Sequence, residues 1–410
     1  MIAAIISIGD ELTNGFTIDT NSSWISQNLI QHNIQTIKKI VVQDNKQDII
    51  DAINHMILMN PTFLFITGGL GPTNDDITKE AIKELIDDKY CFSEKYYQKL
   101  KKFFIINNLR FSELHKSQAM LLKKVNHLEN TCGTALGMKF QYKSTLIFSI
   151  PGVPIEMKNM FKYQIKNQLP NKIKDAFITI NSCGISESRL HDKISDVMKI
   201  YNNKIKFSFL PSYTGVSLRI SKLIDNSVSL NDIKDQIEKL IIPYNYSYGN
   251  ESLEMHISKL LLKRNITLSA AESCTGGLLS KKLTDLSNSS KFFMGSIVAY
   301  NNSIKEKFLN IPSIVIKKHG AVSSEIAELM AKNIKKTMKT DIGLGITGIS
   351  GPLGSADKKP IGLVYISILY KDDMKTKKFN LIPDRKIHRI QSVQMALNML
   401  RISIREQDNI

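Results

Sequence analysis

The side chains of this 410-residue chain that could do chemistry gather around two glycine-punctuated turns, one in each half. In the C-terminal half, the apolar run Ile266 to Ala271 delivers Glu272-Ser273-Cys274-Thr275-Gly276-Gly277 to what reads as a strand-to-helix junction. The first amides of a helix lack intrahelical acceptors, so a serine there could attack an acyl carbon beside ready oxyanion donors, or the amides could hold a phosphate. Ser273 or Thr275 could equally be a plain N-cap, with the glycines allowing close packing, and the hexapeptide alone leaves both readings open. Cys274 is a rival nucleophile, because a thiolate is intrinsically the stronger one. In the N-terminal half, Thr67-Gly68-Gly69-Leu70-Gly71-Pro72-Thr73-Asn74-Asp75-Asp76-Ile77-Thr78 also follows a strand and precedes a helix. Successive amides in such a turn can cradle phosphates, and adjacent carboxylates can hold a hard divalent ion that neutralises a pyrophosphate. The plain alternative is that Asp75 or Asp76 caps the helix.

The elements that must position these residues are legible as alternation. Ile2 to Ile8, Ile34 to Val42 and Thr62 to Thr67 read as buried strands. Between and after them come helices capped near Asn21, running from Lys46 to Met59 with Ile49, Ile53 and Ile57 on one stripe, and from Ile77 to Ile86. Strand-helix alternation implies an α/β fold with a parallel sheet covered on both faces, and ligands then bind beyond the carboxyl ends of the strands. Leu146 to Ile150 ends a further strand at Pro151-Gly152-Val153-Pro154, with a helix after it. From about Lys172 the texture changes to a small α+β module, with strands at Thr179 to Ser182, around Phe207, and at Val216 to Ile220. Alternation resumes with a helix near Ser252, a strand at Ser296 to Tyr300, a helix at Ser324 to Met338 and a strand at Ile342 to Thr347. Gly343 to Gly348 fits G-x-G-x-x-G, but its first glycines fall inside a strand, so no dinucleotide fold is expected.

Composition excludes several classes. No stretch reaches the roughly 20 apolar residues of a membrane span. Met1 to Gly9 reads as a first strand and not as a signal peptide, so the expected address is the cytoplasm. Four scattered cysteines suggest neither a zinc site nor disulfides, and no H-E-x-x-H occurs, so a metal would be held by carboxylates. The net charge of +17 comes from dispersed lysines with one Trp, which fits anionic metabolites better than specific nucleic-acid binding.

More motifs follow the serine: Val298-Ala299-Tyr300-Asn301-Asn302-Ser303-Ile304-Lys305, His319-Gly320-Ala321-Val322-Ser323, Gly345-Ile346-Thr347-Gly348-Ile349-Ser350-Gly351-Pro352, Lys359-Pro360-Ile361-Gly362, and Arg385 with Arg389 four residues on. Together they resemble the CinA C-terminal domain, a nicotinamide-nucleotide amidohydrolase family. By that resemblance Ser273 is the nucleophile, Tyr300 and Lys305 activate it, and Thr347 assists at the oxyanion or relays a proton. Arg385 helps bind substrate, along with Thr275, Gly276, Gly277 and Gly348, and no cofactor is needed. Such chemistry is reasonable without a histidine, since a desolvated lysine or a tyrosine can act as base. The chain departs from the family at Pro383 and at Ser355, which bears on Arg385 most.

In the N-terminal half, Ser7-Ile8-Gly9-Asp10-Glu11-Leu12, Asn14-Gly15, Thr20-Asn21, Asp44, Asn130 to Gly137 and Pro151 to Met157 resemble the molybdopterin-binding fold that CinA proteins share with molybdenum-cofactor enzymes. Leu136 is a mild departure from that pattern. The resemblance implies a doubly wound domain over 1–168, a small α+β connector over 169–250 and an α/β amidohydrolase domain over 251–410. It further implies a metal-dependent ADP-ribose pyrophosphatase with Gly68, Gly69 and Gly71 at the phosphates. Asp44, Asp76, Asp75 and Asp10 would be ligands to Mg²⁺, Mn²⁺ or Co²⁺, with Asp10 and Glu11 equally able to cap the first helix. The expected partners are small-molecule nucleotides and a second copy of the chain in a homodimer. Molybdopterin binding or adenylylation is the alternative for this half. A competence or DNA-damage interaction protein with vestigial sites is the alternative for the whole.

Overall fold

Continuous apolar runs on the central strands set the architecture of the computed structural model, which describes residues 1–73, 75–112, 114–171, 176–223, 228–353 and 359–407. The chain divides into two compact units, Met1–Ala176 and Phe177–Ile410. In the first unit, strands β1 (Ile2–Ile8), β2 (Gln35–Val42), β3 (Phe63–Thr67), β4 (Asn126–Leu128), β5 (Gly137–Tyr142) and β6 (Thr145–Ile150) form one sheet in the order β2-β1-β3-β6-β5-β4. The pairs β1–β2, β1–β3 and β3–β6 are parallel, and β5–β6 and β4–β5 are antiparallel. The expected parallel sheet therefore carries a two-strand antiparallel margin. Ala4, Ile6 and Ile8 of β1 pack on the helices Lys46–Ile57 and Thr78–Leu85, while Ala3 and Ile5 pack on Thr20–Leu29 and Pro154–Met160. Period-2 side chains thus feed two cores, which is what double winding requires.

The second unit holds two sheets. Strands β7 (Phe177–Ser182), β8 (Ile205–Ser212), β9 (Gly215–Lys222) and β10 (Asn245–Tyr248) run in the order β8-β9-β7-β10, all antiparallel, backed by helices Glu187–Ile200 and Leu230–Ile241. The second sheet comprises β11 (Leu268–Glu272), β12 (Phe293–Val298), β13 (Ile342–Gly348), β14 (Leu363–Tyr370) and β15 (Asp373–Asn380), in the order β12-β11-β13-β14-β15. Here β11 lies parallel to both β12 and β13, and β14 and β15 are added antiparallel. Helices Leu253–Arg264, Leu278–Thr284 and Arg385–Gln407 cover one face, and Asn302–Leu309 and Ser324–Met338 cover the other. Arg401, fully buried, donates to the carbonyls of Pro243 and Asn245 at 2.6 and 2.8 Å, so the last helix is tied to the four-stranded module within this unit. Among the described residues no helix is long and apolar enough to cross a membrane.

Two candidate active-site clefts

Strand β11 carries the serine to its place. Beyond Glu272, the Ser273 amide donates to the Ile346 carbonyl at 2.9 Å, so Ser273 is still held to β13 when the chain leaves the sheet. The helix starts only at Leu278, after Gly276 (φ 56) and Gly277 (φ 87) turn the chain through left-handed backbone that glycine adopts without steric cost. Neither Ser273 nor Thr275 is therefore the N-cap. That work falls to the Glu272 carboxylate, fully buried, which accepts from the amides of Gly277, Leu279 and Ser280 at 3.1, 3.1 and 2.9 Å, and from the Ser280 hydroxyl. The expectation that this helix start offers its amides to an oxyanion or a phosphate is corrected accordingly, because an internal carboxylate has taken them. Thr275, Gly276 and Gly277 stand outside the wall of the adjoining cleft. Their turn is braced by Arg389, whose guanidinium donates to the Thr275 carbonyl at 3.1 and 2.7 Å.

The cleft itself, about 160 Å³, brings together Ser273, Tyr300, Lys305, Thr347, Gly348 and Arg385. Lys305 is 1% exposed; its Nζ lies 3.3 Å from Ser273 Oγ and donates to the Ala299 carbonyl at 2.7 Å. Burial of the amine without a carboxylate partner pulls Lys305 down to about 8, only partly opposed by the nearby Cys274. Cys274 also lines this cleft, but its side chain is buried against Gly348, and burial pushes its thiol up to about 12. Its thiolate is scarce at neutral pH, which removes the basis of its rivalry with Ser273.

The remaining members stand differently from the expected roles. Tyr300 is 57% exposed, and its hydroxyl accepts from Arg385 Nη2 at 2.7 Å, so it organises the rim and makes no hydrogen bond to Ser273. Thr347 is fully buried and donates to the Ala321 carbonyl at 2.7 Å, which commits its proton to the backbone. Arg385 also donates to the Gly351 carbonyl at 2.7 Å and reaches the cleft despite Pro383, because Asp384 starts the helix by accepting from the Ile387 amide at 2.9 Å. Ser355 lies outside the described residues. Residue spacing had not singled out Glu272, Asn302 or Ser350, although all three stand inside the quoted motifs, and Asn302 and Ser350 line the cleft.

At the carboxyl ends of β1 and β3 lies a larger cleft, about 540 Å³, walled in part by Gly68, Gly69, Gly71, Asp44, Asp75 and Asp76. Its position beyond parallel strand ends is the expected one. Gly68 and Gly69 have φ of 115 and 63, and a side chain on them would strike the Ile8 carbonyl and the Thr78 hydroxyl. Asp76 folds back on the turn, accepting from Gly71 N at 2.7 Å, Thr73 N at 2.9 Å and Thr73 Oγ1 at 2.5 Å. The following helix has Ile77 as N-cap with no side-chain cap, so neither Asp75 nor Asp76 caps it. Asn74 lies outside the described residues. Asp10 and Asp44 exchange backbone-to-carboxylate hydrogen bonds at 2.9 and 3.2 Å, and the short helix Asp10–Thr13 likewise has no side-chain cap.

Whether these carboxylates suit a hard divalent ion can be judged from their mutual electrostatics. Burial, with the charges of Asp10, Glu11 and Asp75, holds Asp44 above the ordinary carboxylate range, against the lowering effect of the Asp10 amide. A crowd of like charges short of a counter-charge fits a cation. Among the described residues, however, no three His, Cys, Asp or Glu side chains form a preassembled cage. Such carboxylates could supply at most one or two ligands to a hard ion, whose other positions would be filled from outside the chain, as is common for Mg²⁺. Asp76, its oxygens engaged by the turn, is the poorest ligand of the four. Asn21, read from sequence as a helix cap, is instead buried and ties Thr67 Oγ1 (3.1 Å) to the Gly152 carbonyl (2.7 Å) across the cleft floor. The cap is Asp19, which accepts from Ser22 N at 2.9 Å and from Ser7 Oγ at 2.8 Å.

Comparison with known proteins agrees with both halves. Residues 250–404 match the family described as the CinA C-terminal domain, and residues 4–171 match that described as a probable molybdopterin binding domain. A CinA-like protein of Cytophaga hutchinsonii is 34% identical, and one of Dictyoglomus thermophilum 35%, each alignment covering 98% of both chains. A putative competence-damage inducible protein of Halothermothrix orenii is 36% identical over 98% of both chains. Among solved structures, CinA from Thermoplasma acidophilum is 28% identical, covering 40% of this chain and 96% of its own, with a TM-score of 0.37. CihA from Agrobacterium tumefaciens is 30% identical, covering 38% and 94%, with a TM-score of 0.36. With full-length relatives above 30% identity and both halves matched, the chain belongs to the CinA family.

Proposed function

We propose that the C-terminal cleft hydrolyses the carboxamide of nicotinamide mononucleotide, releasing ammonia and nicotinate mononucleotide. The observation that carries this reading is the buried Lys305 amine 3.3 Å from Ser273 Oγ, drawn down to about 8 by desolvation. An amine poised near neutrality is suited to take a proton from a hydroxyl and return it. In the acylation step neutral Lys305 accepts the Ser273 proton as Oγ bonds to the carboxamide carbon. The tetrahedral adduct collapses, its C–N bond breaks, and Lys305 returns the proton to the departing nitrogen, so ammonia leaves and an ester remains. Lys305 then deprotonates a water that attacks the ester, and protonated Lys305 restores the Ser273 hydroxyl. The cleft measures about 160 Å³. It accepts the planar head of such a nucleotide, with Arg385 at the rim toward the remainder. The test is ammonia release from nicotinamide mononucleotide by wild-type, Ser273→Ala and Cys274→Ser proteins. Loss in the first variant alone is expected, and full activity in Ser273→Ala would sink the reading.

For the N-terminal cleft we infer a pyrophosphatase acting on ADP-ribose. The support is a glycine turn next to a crowd of carboxylates in a cleft of about 540 Å³, in which the amides of Gly68, Gly71 and Thr73 are already engaged by the Ile150 carbonyl and by Asp76. Asp44 and Asp75 would hold the divalent ion, which when bound supplies neutralisation of the pyrophosphate oxygens. Asp76 holds the Gly71–Thr73 turn in shape, and Gly68 and Gly69 let the backbone approach the phosphates. Metal-dependent AMP formation from ADP-ribose, lost in Asp44→Asn, is the expected result. Molybdopterin binding without ADP-ribose turnover favours the second reading, which the match of residues 4–171 supports.

A further inference from the structure

Glu156 puts a further carboxylate in the wall of the N-terminal cleft, on a different element from Asp10, Asp44 and Asp75. It follows the Pro151-Gly152-Val153 turn beyond β6 and lies in the helix Pro154–Met160, where it is half-buried. The charges that bear on Asp44 are those of Asp10, Glu11 and Asp75, so Glu156 stands apart from that crowd. Asn130 holds it from one side: Nδ2 donates to Glu156 Oε2 at 2.6 Å and to the Ala135 carbonyl at 3.1 Å, while Oδ1 accepts from the Cys132 amide at 3.0 Å. A backbone carbonyl only accepts and a backbone amide only donates, so a single orientation of the Asn130 side chain satisfies all three bonds. The same loop is fastened at the Thr134 carbonyl, which accepts from the Tyr96 hydroxyl at 2.6 Å. Glu156 Oε1 has no hydrogen-bond partner among the described residues, and no lysine, arginine or histidine among them pairs with this carboxylate. A Cβ at Gly133 would lie 2.4 Å from Glu156 Cδ and 2.5 Å from Oε1, so only glycine there leaves room for the carboxylate in this place.

An ionised carboxylate has acceptors only, and one without a cation beside it is matched by a ligand that brings neutral donors. ADP-ribose carries such donors as the vicinal hydroxyls of its two riboses, and adjacent hydroxyls can share the oxygens of one carboxylate. We propose that Glu156, held by Asn130, accepts hydrogen bonds from ribose hydroxyls of the nucleotide and so selects a ribose over a 2-deoxyribose. Glu156 is then a specificity-determining residue that touches the ligand, separate from the carboxylates that would hold the ion. The inference deepens the pyrophosphatase reading and rests on it. A charged acceptor left opposite a missing hydroxyl is desolvated without a partner, so loss of one hydroxyl is felt more strongly than loss of an apolar contact.

The test measures equilibrium binding of AMP and ribose 5-phosphate, the two products of the proposed cleavage, to the full-length protein with Mg²⁺ present. Each is compared with its 2-deoxy form, and the set is repeated on Glu156→Ala and on Glu156→Gln, which keeps an oxygen for Asn130. The wild-type protein is expected to bind at least one ribose form about tenfold more tightly than its deoxy form. Which product shows the preference tells which ribose Glu156 holds. In Glu156→Ala the preference should fall to within about twofold, and in Glu156→Gln it should drop about threefold. Cleavage of ADP-ribose by a wild-type protein whose products show no hydroxyl preference, or a preference that both variants retain, overturns the inference alone. Equal weakening of both AMP forms in the variants assigns Glu156 to the base and overturns it as well. A wild-type protein that does not cleave ADP-ribose removes the pyrophosphatase reading, and the inference with it.

Discussion

In the C-terminal cleft a single buried cation stands beside a hydroxyl with no carboxylate to pair it, whereas at the N-terminal cleft the charges of Asp10, Glu11 and Asp75 bear on the carboxylate of Asp44. Both arrangements leave a charge uncompensated, but they resolve it in opposite ways. Lys305 can shed its charge by releasing a proton near pH 8. The charge crowded around Asp44 is of the kind a bound cation would relieve. The lesson is that two clefts with uncompensated charge of opposite sign call for different tests, a pH profile for one and added cations for the other.

The largest effect that would break this comparison is at Ser273. Ammonia release in Ser273→Ala should fall by about 10³-fold or more, against less than about threefold in Cys274→Ser. Next comes Lys305→Met, which should abolish turnover while raising stability. A lysine whose folded-state pKa lies near 8, below its ordinary 10.5, costs stability wherever it is buried charged, and that cost fades as pH rises from about 8 toward 10.5. Urea denaturation at pH 7 should therefore show a gain of about 1–3 kcal/mol, absent near pH 11. The pH profile gives the third check: kcat/KM of the amidase should rise about tenfold per unit below pH 8 and level off above it, as Lys305 loses its proton. A profile already flat at pH 6 would contradict the serine-lysine assignment.

The smallest effect belongs to the other cleft. Asp44 is held above the ordinary carboxylate range, so the folded state favours its protonated form and stability declines as pH rises through its pKa. Asp44→Asn should raise neutral-pH stability by up to about 0.5 kcal/mol after solvent screening, while abolishing the metal-dependent cleavage of ADP-ribose. Destabilisation by this variant would mean that the Asp10–Asp44 backbone bonds outweigh the repulsion.

Much of this was legible in the residue order because the physics involved is local. The apolar run Ile2–Ile8 and the stripe of Ile49, Ile53 and Ile57 announce a covered parallel sheet, and the side chains of Ile2–Ile8 serve both cores. The antiparallel strands at the sheet margins were harder, since pairing partners are set by tertiary packing. Caps were misjudged where a better acceptor lay close by. Asp19 displaced Asn21, and Glu272 displaced the Ser273 and Thr275 hydroxyls, because a carboxylate can satisfy several amides at once. The meeting of Ser273 with Lys305 spans 32 residues and two elements, so no spacing rule reveals it. It was foreseen only through family resemblance.

Glu272 has a consequence for how the enzyme meets its surroundings. A helix start left open beside a nucleophile would attract any small anion in the medium, and phosphate or sulfate would compete with a phosphorylated substrate. Here the chain has filled that place with its own carboxylate, which places like charge beneath the turn and leaves Arg385 as the cation at the mouth. In the proposed amidase reaction, buffer anions at millimolar strength should leave ammonia release largely unaffected.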